Sequence, residues 1–188
     1  MGLNQDKIKR GNLRIELLSV LLLFSSSLGY AQTPEAEVKA VAFQKLSLFI
    51  EWPAHALDTP GKDFIIGVIG KSPFGDILES VYESTLIKGR KVKIVYFKDV
   101  KQLTLCHMLF ITSDVGKQEL PRILDAVRGK PVLTIAESEG YAEEGCFINF
   151  FELSGKLRFE INQKAIESSG FVIDFKLLSV SKIVTSHG

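Results

Sequence analysis

Phe64-Ile65-Ile66-Gly67-Val68-Ile69, closed by Gly70-Lys71-Ser72-Pro73, is the stretch that decides the fold. A nearly continuous apolar run without polar alternation suits a strand buried on both faces, as in a parallel sheet covered by helices. The turn after it leads into a helix expected over about 73–85, with Ser72 as its cap and Pro73 at its first position. The same rhythm returns downstream. Met108-Leu109-Phe110-Ile111-Thr112 reads as a buried strand, a helix is expected at about 116–128, and Pro131-Val132-Leu133-Thr134-Ile135 reads as another strand. Lys91-Val92-Lys93-Ile94-Val95-Tyr96 alternates and reads as an edge strand.

Working outward, residues 34–50 place Val38, Val41, Ala42, Lys45, Leu46 and Phe49 at spacings of three and four. Pro34 stands near the start, with Glu35 and Glu37 in the first turn, which predicts a helix. Glu51-Trp52-Pro53 ends it, because a residue before proline leaves the helical region. Toward the other end, Cys146–Phe151 and Lys156–Ile161 flank Glu152-Leu153-Ser154-Gly155 and predict a hairpin. Asn162 is placed to cap a short helix at 163–168, and a last helix is expected at about 174–183, after Asp174. Strands alternating with helices imply right-handed crossovers. The expected fold is a three-layer α/β domain. It has a mostly parallel sheet of five or six strands, helices on both faces and a C-terminal antiparallel hairpin.

Residues 1–31 read as an export signal. Lys7, Lys9, Arg10 and Arg14 precede the apolar stretch 17–24, and Gly29 and Ala31 supply the small side chains that signal peptidase needs before its cut. A membrane-spanning helix needs about 20 apolar residues, more than this stretch holds. Cleavage after Ala31 leaves 157 residues with a net charge of about −1. That is one ordinary domain, with no charge balance that asks for nucleic acid.

A catalytic constellation is not legible. Gly67-Val68-Ile69-Gly70-Lys71-Ser72 has too few residues between its glycines for a phosphate-binding loop. Cys106 and His107 are adjacent, so a strand points them to opposite sides. His55 and His187 have no ligand-like spacing to other His or Cys, and neither a metal nor another cofactor is expected. Cys106 and Cys146, the two cysteines of the chain, form either one disulfide or two separately buried thiols. Glu137 and Glu139 stand at the end of a strand, the edge where open α/β sheets bind ligands. Glu143-Glu144 reads as a solvated turn. Trp52, beside Glu51, reads either as a core corner or as a binding hot spot. Arg158, Glu160 and Asn162 share one face of a strand. They either fix the hairpin, with Arg158 and Glu160 as an ion pair, or line a ligand or partner surface.

The ordered set Phe49-Ile50-Glu51-Trp52-Pro53, Phe64–Gly70, Pro73-Phe74-Gly75, Cys106–Ile111, Pro131–Ile135, Cys146–Phe150, Arg158–Asn162 and Leu177-Leu178 resembles the YfiR family of small periplasmic proteins. The resemblance spans about residues 36–184. It implies a non-enzymatic periplasmic regulator that restrains an inner-membrane diguanylate cyclase, or a sensor kinase, by binding its periplasmic region. Release would raise cyclic-di-GMP and promote biofilm. It also implies that the chain can form a homodimer and respond to envelope conditions. A periplasmic module that binds a small envelope ligand is the alternative. The better-known members carry two disulfides, which two cysteines cannot make. Cys106 matches the family's Cys-His position, but its usual partner has no counterpart here.

Overall fold

The computed structural model describes residues 34–57 and 61–186. The expected leader and His187 lie outside the described residues. Helix α1 (Pro34–Phe49) runs directly into the two-residue strand β1 (Ile50–Glu51). There follow β2 (Phe64–Ile69), α2 (Ile77–Tyr82), β3 (Val92–Phe97), β4 (Met108–Ile111), α3 (Leu120–Val127) and β5 (Leu133–Ala136). The chain then forms β6 (Ile148–Leu153), β7 (Lys156–Asn162), α4 (Gln163–Ser168), β8 (Val172–Ile173), α5 (Phe175–Leu178) and β9 (Lys182–Val184).

Seven strands make the main sheet in the order β3-β2-β4-β5-β6-β7-β9. The first five are parallel, β7 returns antiparallel to β6, and β9 runs parallel to β7. The α/β class, the edge position of β3 and the β6–β7 hairpin agree with the sequence. Ser154 and Gly155 form the hairpin turn with left-handed φ angles of 53° and 70°, the pairing that matches strand twist in a two-residue connection. The sheet is wider than expected because residues 182–184 form a strand rather than the end of a helix. The last helix stops at Leu178, and Lys182, Ile183 and Val184 then pair with Glu160, Ile161 and Asn162. A second unexpected pairing joins β1 to β8, with Ile50 opposite Ile173 and Glu51 opposite Val172. Helix α2 begins later than Pro73 because Gly75, at φ 52°, interrupts the turn before it; Ser72 instead accepts from Phe74 N–H at 3.2 Å.

Two apolar layers sandwich the sheet. On one side α1 and α2 cover Phe64, Ile66, Val68, Met108, Phe110 and Phe150. Phe43 is the centre of that layer, with ring contacts at 5.8 Å to Phe74, 5.3 Å to Phe110 and 6.1 Å to Phe150. On the other side Leu120, Ile123 and Val127 of α3 cover Ile69, Leu109, Ile111 and both cysteines. Gly67 lets these strands close up: a Cβ there would stand 2.7 Å from the Phe97 ring and 3.3 Å from Cys106 Sγ.

Candidate docking face

The spacing that announces α1 lies along a flank of the helix that borders an open groove, with Leu46 reaching into the core. The helix's inward positions are Ala36, Ala40, Phe43 and Ser47, all buried. Val38, Val41, Ala42, Lys45, Leu46 and Phe49 instead line a groove of about 480 Å³ beside the helix. Leu157 and Phe159 of β7, with Leu177 and Val180 after it, form the opposite wall. The Asp174 N–H donates to the Phe49 carbonyl at 2.8 Å, which seats α5 against the last turn of α1. On the other flank the Tyr82 hydroxyl donates to the Ala40 carbonyl at 2.8 Å.

This face is apolar and uncovered. Of the groove's walls Val38 is 50 % exposed and Val180 64 %; outside the groove, Leu48 of α1 and Phe175 of α5 are also exposed, at 69 % and 78 %. A helix that is apolar on both sides normally sits inside a protein. Here one side is inside and the other opens to solvent. Exposed apolar groups gathered in this way mark surfaces that meet another molecule.

The carboxyl edge of the parallel strands is built differently. The strand order reverses between β2 and β4, and open α/β sheets bind ligands outside that reversal. In this chain the crevice is occupied by the protein's own hydrogen bonds. The Lys71 N–H donates to Asp114 Oδ1 at 2.9 Å, and the Thr112 hydroxyl also donates to Asp114. The Thr112 bond holds the Asp114 carboxyl below the usual carboxylate range. Gly70 sits at φ 98°, and a Cβ there would come within 2.1 Å of Thr112 Oγ1. Gly70-Lys71-Ser72 is thus a tight strand exit clasped by Asp114. One strand further, Glu137 accepts from Ser113 N–H at 2.9 Å and from Lys39 Nζ at 2.6 Å. Lys39 lies 2.6 Å from Glu35 as well. Burial alone would lower the Lys39 pKa, but its two carboxylate partners outweigh that and raise it. Glu139 and Glu144 are exposed in the following turn.

The residues singled out in the sequence do not converge on one site. Trp52 is a buried corner: its Nε1–H donates to the His107 carbonyl at 3.0 Å, and its ring meets Phe64 at 5.3 Å and Phe171 at 5.6 Å edge-on. Glu51 is exposed on the β1–β8 ribbon. Glu160 is buried and pairs with Lys182 at 2.6 Å, a partner supplied by β9, in place of the expected pair with Arg158. Arg158 is exposed. Asn162 is fully buried: its Oδ1 accepts from Ala165 N–H at 3.0 Å, capping α4 as expected, and its Nδ2 donates to Ala142 and Ser186. Phe159, between Arg158 and Glu160, points the other way and lines the groove. The outer stripe of α1 was visible in the sequence as a helical spacing, but apolar spacing alone does not say which side is covered.

Cys106 and Cys146 are both buried free thiols. Burial pushes the Cys106 thiol up to about 12 and raises that of Cys146 as well. His107 is held neutral: burial lowers its pKa, nearby Arg90 adds to this, and its Nδ1 accepts from the Ile65 N–H at 2.8 Å. Among the described residues no group of three or more His, Cys, Asp or Glu could hold a metal ion. No described helix is long and apolar enough to cross a membrane.

The strand order defines an α/β domain with an apolar groove open beside its first helix. The chain belongs to the YfiR/HmsC-like family, whose profile matches residues 36–182. No curated protein matches it. Among solved structures it is similar to YbdL from Escherichia coli, described as having a methionine aminotransferase function. That similarity is 9 % identity over 55 % of this chain and 35 % of that chain, with a TM-score of 0.27, too loose a superposition to carry an argument.

Proposed function

We propose that this protein is an exported, non-enzymatic regulator that docks on the periplasmic region of an inner-membrane signalling protein, a diguanylate cyclase or a sensor kinase, and restrains it. The uncovered apolar face of α1, continued by Phe159, Leu177 and Val180, carries this reading. Family membership supplies the class of partner, and the reading of residues 1–31 as an export signal supplies the compartment. A membrane-anchored partner is a fitting occupant because a signal received outside the cytoplasm must cross the membrane to act on cyclic-di-GMP. A groove of this size accepts the apolar side of a helix, with anchors repeating every three or four residues.

The test is co-purification of the tagged, processed chain from detergent-solubilised membranes of its own cell, with bound proteins identified by mass spectrometry. A membrane protein bearing a cyclase or kinase domain should be recovered, and its activity should rise when the chain is deleted. Recovery of no such protein, or unchanged activity on deletion, would refute the proposal.

A further inference from the structure

The chain as a whole carries a formal net charge of +1, yet its charges separate along the strand direction. Past their carboxyl ends, β4 and β5 lead into Asp114, Glu137 and Glu139. At the amino ends, β3 is entered through Arg90-Lys91, β2 through Lys62-Asp63, and β5 shortly after Lys130. Between β2 and β5, β4 is entered just after Leu105, which is 62 % exposed. The strand order β3-β2-β4-β5 therefore sets Lys91, Lys62, Leu105 and Lys130 in a row. Neighbouring strands lie about 4.8 Å apart, so the row spans about 14 Å. The Arg90 side chain donates to the Lys62 carbonyl at 2.9 Å and ties two of these entries together, and Lys130 Nζ donates to the Ala126 carbonyl at 2.7 Å. Lys62, Lys91 and Lys130 are all exposed, and among the described residues none of them belongs to an ion pair. Asp63 is the one acid within the row itself, and the nearby Asp125 is taken up by Arg128.

Lysines on an edge strand keep a sheet from pairing with another chain. That accounts for Lys91 on β3, but not for Lys62 or Lys130, whose strands lie inside the sheet. Cations flanking an exposed leucine fit a bilayer surface. The ammonium groups meet anionic headgroups while the apolar side chain enters the boundary below them. A single-stranded nucleic acid would call for aromatic side chains on which bases stack, and the apolar residue of this row is aliphatic. Orientation adds a second argument. Helix α1 runs back along the strands: Lys39 near its start reaches Glu137 at the carboxyl end, and Trp52 just past its end reaches the His107 carbonyl at the amino end. With the amino end seated on a bilayer, the groove beside α1 stands along the membrane normal, the direction in which a membrane-anchored protein emerges.

We propose that the amino end of the sheet, through Lys62, Lys91, Lys130 and Leu105, is a seat for the anionic phospholipid surface of a bilayer. The contact concerns the chain alone and stands whether or not a protein partner is found. Co-sedimentation of the processed chain with lipid vesicles tests it. Phosphatidylcholine vesicles containing about one third phosphatidylglycerol should carry the chain down, and about 0.5 M salt should release most of it. Vesicles of phosphatidylcholine alone should bind at least about tenfold less. Each cation near such a surface contributes about fivefold, so Lys62→Glu/Lys130→Glu should lower partitioning at least about tenfold. Leu105→Ser should lower it about threefold and leave its salt dependence unchanged. Lys117→Glu/Lys156→Glu makes the same change of charge on exposed lysines toward the carboxyl end, and should bind as the wild type does. All variants should melt with the wild type, since every substituted side chain is exposed. No binding to the anionic vesicles, equal binding to the neutral ones, or an equal loss in the two double variants would overturn the proposal. So would capture of a single-stranded oligonucleotide without capture of the vesicles.

Discussion

The carboxyl edge of the sheet and the outer face of α1 are finished in opposite ways. At the edge, Asp114 clasps the β2 exit while Glu137 ties α1 to the loop after β4. Asp114 and Glu137 there are bonded to groups of the chain itself. On α1 Val38 and Leu48 are exposed, and Val41 is half-buried in the groove wall. The contrast teaches that the strand order of a ligand-binding fold does not place the site. The proposed docking uses the α1 surface, where Val38 and Leu48 are left exposed.

Four perturbations would break or sharpen that contrast. The largest effect is expected inside α1: Phe43→Ala removes the hub of the aromatic layer and should cost about 3–5 kcal/mol in urea unfolding. Next comes the sealed edge. Glu137→Leu leaves Lys39 buried with only the exposed Glu35 as partner and should cost about 3 kcal/mol. A cost near zero would mean the edge is not held by this pair. Third is acid sensitivity through His107. Its folded pKa is lowered from 6.5, so the unfolded chain takes up a proton first as pH falls. Its contribution is therefore complete above pH 6.5 and is lost progressively below it. The melting temperature should fall in that window, and His107→Asn, which keeps an acceptor for Ile65 N–H, should flatten the slope. Smallest is Leu48→Ala on the outer face, expected to change stability by no more than about 0.5 kcal/mol. Phe43 and Leu48 thus lie on one helix with expected effects at the two ends of the range.

Much of the fold was legible because local signals agreed with it. The apolar run of β2 suited a strand buried on both faces and is one, and Asn162 caps α4 as its chemistry predicts. The departures come from pairings made at long range. Lys182-Ile183-Val184 is too short to declare itself a strand and becomes one by lying along β7. Ile50-Glu51 extends because Val172-Ile173 comes alongside. Gly75 stops α2 from starting at Pro73 by taking a φ that the sequence does not announce. The candidate site was less legible. Trp52, Glu160 and Asn162 drew notice as polar or aromatic exceptions, and each has its polar atoms bonded within the chain. The α1 stripe drew notice only as evidence of a helix. An apolar stripe does not reveal that a second one, Ala36-Ala40-Phe43, already faces the core.

The central claim is that this protein works through the outer face of α1 and not through the edge of its sheet. Its most direct test compares Val41→Glu with Asp114→Ala in the capture of the membrane cyclase or kinase that co-purifies with the wild type. Both variants should fold, since Val41 is only partly buried and Asp114 is exposed. The account predicts that Asp114→Ala captures the partner as well as the wild type does, while Val41→Glu captures none. Capture that survives Val41→Glu and is lost in Asp114→Ala would contradict it.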